Sequence, residues 1–234
     1  MITVIDPDVG ERFGLWRLRG LLGEAEVAEV VELTRGLARV APLARPTMLD
    51  GVPLTVRVTS WGDLGWWADR GGYRYVDRHP VTARPWPAIP PELRRLAAAC
   101  VEAANEAGAG LEGGLAEVFD SCLVNFYDDG ASLGWHVDRT EQDRHTPILN
   151  VSIGATARFE IEEVEGPGLG DRTVHRVPLL SGDVVIMAGA ARLARHRIAK
   201  IEPVPAQEGL FGSAPRSPLR SGRISLTFRR VRRA

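Results

Sequence analysis

Asn125-Phe-Tyr-Asp-Asp-Gly-Ala-Ser-Leu-Gly-Trp-His-Val-Asp138 holds the end of one extended run and the whole of the next. His136 and Asp138 stand two apart in it. On a strand, residues i and i+2 project from one face, so an imidazole and a carboxylate so placed can hold one metal ion from the same side. A third ligand must come from elsewhere, and His196, 58 residues on, is the best candidate. Two histidines and one carboxylate make the facial triad of non-haem Fe(II) oxygenases, which leaves positions open for oxygen and a co-substrate. Taken alone, a His-x-Asp pair in a strand serves equally as a surface hydrogen bond.

The C-terminus adds a second wall. Arg223-Ile-Ser-Leu-Thr-Phe-Arg229 alternates with period two, so Arg223, Ser225, Thr227 and Arg229 share one face and Ile224, Leu226 and Phe228 the other. A fixed guanidinium fork is the best bidentate partner for a carboxylate. A dicarboxylate such as 2-oxoglutarate suits this wall, one end chelating iron and the other meeting an arginine.

With these pieces in place the chain resembles the AlkB family of Fe(II)- and 2-oxoglutarate-dependent dioxygenases. The matching segments are Asn125-Phe-Tyr127, His136-x-Asp138, Arg192-Leu-x-x-His196 and Arg223-x-Ser-x-x-x-Arg229. Upstream, Leu64-Gly-Trp66, Gly72-Tyr73-x-Tyr75 and Pro85-Trp-Pro-Ala-Ile-Pro90 also fit. The resemblance runs from about Leu18 to Arg229, and several ordered motifs are more specific than any one of them.

The resemblance implies Fe(II) held by His136, Asp138 and His196, with 2-oxoglutarate and O2 as co-substrates. It implies that Asn125, Tyr127, Arg223, Ser225 and Arg229 bind 2-oxoglutarate, Arg223 on the distal carboxylate side and Arg229 near the metal. It implies oxidative demethylation of N-alkylated bases in DNA or RNA, in a single strand or as a flipped base. The substrate side would comprise Trp66, Tyr73, Thr140, Glu141 and Arg192, with residues 55–90 as an aromatic lid. Ser225 departs from a frequent family asparagine but keeps a hydroxyl. Thr140 departs from an acidic residue found in some relatives, which bears on base preference. Two other readings share the sequence: the same chemistry on a protein side chain or small molecule, and a non-catalytic metal-binding jelly-roll module.

A length of 234 residues suits one well-cored domain, expected to span 1–234 with its core at about 119–231. With 25% charged and 44% hydrophobic residues the composition is that of an ordinary globular chain, and a net charge of -1 gives no general attraction to polyanions. Arginines 216, 220, 223, 229, 230, 232 and 233 nonetheless crowd the end, as a solvated arm or a phosphate-contacting edge. Two cysteines without a CxxC spacing point to a reducing compartment. No basic-then-apolar leader and no long apolar run is visible, so a cytoplasmic monomer without a membrane span is expected.

Periodicity supplies the elements. Residues 1–22 read as a loose start and a short strand from Gly14 to Leu22. Helices follow over Glu24–Val40 and from Pro91, where Pro sits in the first turn. Leu54–Thr59 reads as a strand, and residues 60–90, rich in aromatics and glycine, as loops and hairpins. Strands are expected at Cys122–Tyr127, Gly134–Asp138, Ile148–Ile153, Ala157–Ile161, Arg172–Pro178, Asp183–Met187 and Arg223–Val231, with a loop at 203–222. Many short strands after two helices argue an α+β, mostly β fold: an antiparallel double-sheet jelly roll with the helices outside. His79, His145 and His175 read as surface residues, Trp86 as core packing, and Asp183 as a structural turn residue.

Overall fold

A computed structural model describes residues 7–164, 171–202, 219 and 221–232. Helix α1 (Pro7–Phe13) leads into β1 (Leu15–Leu18), and α2 (Glu24–Val40) into β2 (Val56–Gly62) and the hairpin β3 (Gly65–Asp69) and β4 (Gly72–Val76). Helix α3 (Pro91–Glu106) precedes β5 (Ser121–Tyr127), β6 (Leu133–His136), β7 (Ile148–Gly154), β8 (Ala157–Val164), β9 (Arg172–Leu179) and β10 (Val184–Met187). A 3-10 turn at Gly189–Leu193, β11 (His196–Ile201) and β12 (Arg223–Arg229) complete the order.

Two antiparallel sheets face each other. One has the order β1-β10-β7-β12-β5-β2 and the other β6-β11-β8-β9. This is the expected jelly roll, and its layers follow from period two. In β12, Ile224, Leu226 and Phe228 point to a core shared with Val30, Val31 and Leu37 of α2 and with Leu93, Ala97 and Cys100 of α3. The alternate residues of the large sheet, such as Leu123, Tyr127 and Val185, meet Phe159, Ile161 and Ile198 of the small sheet in a second core. Helices α2 and α3 therefore cover one face of the large sheet, and the space between the sheets is left for the site. Among the described residues no helix is long and apolar enough to cross a membrane.

Five readings need correction. The start is a helix, α1, before a strand shorter than Gly14–Leu22. Its signals were present: Pro7 at the first helical position and Gly14 after the last, with φ 84. A Cβ on Gly14 would lie 2.3 Å from the Ala188 carbonyl oxygen, so only glycine fits there. Strand β6 ends at His136, which puts Asp138 beyond it, and β11 was not foreseen. His79 is buried rather than on the surface. Its Nε2 donates to the Pro42 carbonyl at 2.8 Å, its Nδ1 accepts from the Val81 and Thr82 amides, and its ring lies 4.9 Å from that of Trp86. His175 is largely covered, stacked on Phe13 and 2.7 Å from Glu163 Oε2. Trp86 is core, as read, and its Nε1 donates to the Val76 carbonyl. The 203–222 loop lies largely outside the described residues, as do arginines 216, 220 and 233.

Asp183 fastens β1 to this frame. Its carboxylate accepts from Arg17 Nε and Nη2 (3.1 and 2.6 Å) and from the Gly20 and Leu180 amides, with both side chains buried. Removing one member of a buried pair strands the other charge. Asp183→Ala should therefore cost about 3–5 kcal/mol in urea unfolding. Adding Arg17→Met to that variant should recover much of the loss.

Candidate metal and co-substrate site

The β6–β11 ladder puts His136 directly opposite His196, with ring centroids 4.3 Å apart. Each ring donates Nδ1–H to a carbonyl two residues earlier, Gly134 at 2.8 Å and Ala194 at 3.0 Å. In the neutral form a ring so bonded leaves Nε2 bare, the state a metal needs. Asp138 Oδ1 lies 4.0 Å from His136 Nε2, and Oδ2 lies 3.7 Å from His196 Nε2. Facial donors about 2.1 Å from one ion stand about 3 Å apart, so these two spacings would close by up to about 1 Å around a shared ion. Among the described residues this is the only cluster of three such ligands.

The electrostatics favour the metal-ready forms. Burial alone would raise the Asp138 carboxyl, but Arg229, then His196 and His136, outweigh it and hold it at about 2. Burial pushes His196 down to about 4 against the opposing pull of Asp138. Near neutrality the site thus offers a carboxylate and, at His196, a neutral imidazole.

Asp138 lies past the end of β6 and is held from two sides. Arg192 Nη1 donates to its carbonyl at 2.7 Å, and Arg229 Nη2 to its Oδ2 at 2.8 Å. Arg229 Nη1 also donates to Glu141 Oε1 (2.8 Å) and to the Tyr75 hydroxyl (2.9 Å), which itself donates to Glu141 Oε1 at 2.7 Å. Burial would lower the Arg229 guanidinium, yet Asp138, Tyr75 and Glu141 raise it further, so it stays charged.

Arg223 is the opposite case. It is 1% exposed, and Nη2 donates to Ser152 Oγ at 3.0 Å, but Nε and Nη1 have no partner. Burial draws its guanidinium down to about 10, with Tyr127 and Asp183 opposing. A buried, half-satisfied fork opens onto the cavity between the sheets, whose lining includes Asn125, Tyr127, Ser225, Arg229 and the three ligands. An acidic acceptor fits there, and with Arg229 already engaged near the ligands Arg223 is the arginine left for it.

Ser225 exchanges hydrogen bonds with Asn150, which also donates to Thr227 Oγ1. Sequence reasoning passed over Asn150, though a polar residue inside the apolar Ile148–Ile153 run marks the inward face. Tyr75 was likewise not named as a site residue, although period two puts it on the same face as Tyr73.

The residues expected on the substrate side divide. Trp66 and Tyr73 stack on the β3–β4 hairpin, centroids 6.0 Å apart and planes 14° from parallel, and Tyr73 is 48% exposed. Thr140 is half-buried beside the ligand loop. Glu141 and Arg192 are buried and turned to protein groups; Arg192 also donates to the carbonyls of Thr146 and Asp143 and so shapes the 138–146 loop. His145 is exposed, as read.

The model of the 2OG-Fe(II) oxygenase superfamily matches residues 14–229. The chain is 40% identical over 222 residues to an alpha-ketoglutarate-dependent dioxygenase AlkB homolog of Caulobacter vibrioides, covering 95% of this chain and 89% of that one. It is 35% identical over 164 residues to the alpha-ketoglutarate-dependent dioxygenase AlkB of Escherichia coli, 69% of each. The solved structure of OsALKBH1 superposes with a TM-score of 0.73 at 28% identity, over 93% of this chain and 97% of that one.

Two outcomes follow from the geometry. His196→Ala should weaken anaerobic Fe(II) or Mn(II) binding by at least about 100-fold in calorimetry, with the circular dichroism spectrum retained. Arg223→Met should stabilise the ligand-free protein by about 1–3 kcal/mol in urea unfolding, because it removes unpaired buried donors. The same substitution should abolish the stabilisation that wild type gains from 2-oxoglutarate.

Proposed function

Because the chain belongs to the 2OG-Fe(II) oxygenase superfamily, in its AlkB branch, we propose that it removes N-alkyl groups from bases of DNA or RNA by oxidation. Its cofactors are Fe(II) and 2-oxoglutarate, with O2 as oxidant. The observation that carries the reading is the Arg223 guanidinium, with Nε and Nη1 left without a partner, in a cavity whose lining also holds the His136, Asp138 and His196 ligands. A dicarboxylate that chelates iron at one end needs such a cation at the other.

Bound iron and 2-oxoglutarate supply the oxidation: O2 and the 2-oxo acid give succinate and CO2, and one oxygen atom enters an N-methyl C–H bond. The resulting hemiaminal breaks its C–N bond, releasing formaldehyde and the restored base. The protein's part is placement. Arg223 holds the far carboxylate, with Asn125, Tyr127 and Ser225 along the same wall. Arg229 keeps Asp138 ionised and aimed at the metal face. The β3–β4 hairpin acts as a lid, and the stacked, partly exposed Trp66 and Tyr73 offer ring faces to an unstacked base. Thr140, half-buried next to Glu141, is the ligand-loop side chain assigned to that base. A ring nitrogen is hidden in a duplex, so the substrate is a single strand or a flipped base. The working unit is a single-domain cytoplasmic monomer. The named activities of relatives support nucleic acid as substrate: DNA N(6)-methyladenine demethylase in Arabidopsis thaliana and tRNA demethylase in Schizosaccharomyces pombe.

The test is anaerobic loading with Fe(II), then O2, 2-oxoglutarate and oligonucleotides carrying N1-methyladenine, N3-methylcytosine or N6-methyladenine, read by mass spectrometry. Restored base is expected with wild type and none with His136→Ala. Succinate without any change in the oligonucleotides would sink the nucleic-acid reading while leaving the oxygenase intact.

A further inference from the structure

The four-stranded sheet has a second face, turned to solvent, and its charges are unequal in number and in depth. Glu160 lies between Arg197 (2.7 Å) and Arg176 (3.6 Å); Glu162 lies between Arg195 (3.2 Å) and Arg172 (3.6 Å). The two carboxylates are 11% and 13% exposed, whereas the four guanidiniums range from 37% to 74%. Anions underneath and cations on top give an electropositive surface on a chain of net charge -1.

Trp135 extends this face to the β6 edge. Arg195 and Arg197 lie over its ring, 5.4 and 4.7 Å from the centroid. The next residue is His136, whose side chain is 34% exposed, against 8% for those of Asp138 and His196. The metal site is therefore most open along the edge where Trp135 stands.

We infer that this outer face carries the sugar-phosphate backbone of the strand whose base enters the site, with Trp135 as a stacking point; this rests on the nucleic-acid reading above. Here each carboxylate is shared by two arginines, leaving guanidinium donors for phosphate oxygens. The glutamates pre-order these forks, so less side-chain freedom is lost when phosphate binds. Arginine beside tryptophan is also the pairing that single-stranded nucleic acid uses, stacking on the ring and charge on the backbone.

The test compares wild type with Arg172→Gln/Arg176→Gln. This variant leaves each glutamate its nearer arginine, so the sheet should stay folded, as circular dichroism would verify. Both are loaded with Mn(II) and 2-oxoglutarate under nitrogen, and a fluorescent single-stranded oligonucleotide is titrated at several salt concentrations. Affinity should fall about five- to tenfold, and the slope of log K against log salt by about 1.4, at ~0.7 per lost phosphate contact. Demethylation of a methylated trinucleotide, too short to reach the outer face, should not change. Unchanged oligonucleotide affinity and slope in the folded variant would overturn the inference. A wild type that binds oligonucleotide through these arginines yet demethylates no base would keep the face and sink the base reading; one that binds no nucleic acid would sink both.

Discussion

Arg229 is a charge that the fold cannot leave alone. It is 5% exposed, at the end of the central strand β12, where a lone guanidinium would be costly. Its partners come from two separate segments: Asp138 and Glu141 in the loop after β6, and the Tyr75 hydroxyl on the β3–β4 hairpin. Meeting this one requirement fixes the hairpin, the ligand loop and the ligand carboxylate relative to one another. Arg192 completes the arrangement from the 3-10 turn by holding three carbonyls of the same loop. The result is a carboxylate kept ionised in a buried place, which a metal ligand has to be.

The two arginines of β12 show how one strand can treat equal residues unequally. Both face the cavity between the sheets, and both are buried. Arg229 is over-supplied with acceptors, while Arg223 has Ser152 alone and two unpaired nitrogens. On the proposed function, the stability given up at Arg223 is regained when an anion arrives, and the three metal ligands would select an anion that also binds metal.

Most of this was legible wherever period two or 3.6 ran uninterrupted. The alternation in Arg223–Arg229 separated cavity face from core face correctly, because a strand packed on both sides must sort its residues that way. Helices α2 and α3 were legible for the same reason on a longer period. What escaped was decided by contacts distant in sequence. β11 was missed because His196–Ile201 is a short strand set by pairing with β6 and β8, with an irregular register. His79 looked like a turn residue, and it is one; its burial comes from Pro42 and Trp86, which no local pattern announces. Glu141 read as a residue facing the substrate, and only the three-dimensional arrangement shows it committed to Arg229 and Tyr75.

Both ligand histidines take their outer hydrogen bond from main-chain carbonyls, Gly134 and Ala194. A side chain in that role could drift over generations, and each substitution would retune the donor strength of the ring. A carbonyl belongs to the backbone whatever residue bears it, so the imidazole half of the coordination sphere is insulated from mutation. Variation can reach the iron chiefly through the carboxylate, by way of the side chains that grip it. Descendants of this chain can therefore vary hairpin and loop positions other than Tyr75, Asp138 and Glu141 in pursuit of new substrates while keeping both imidazoles as they are.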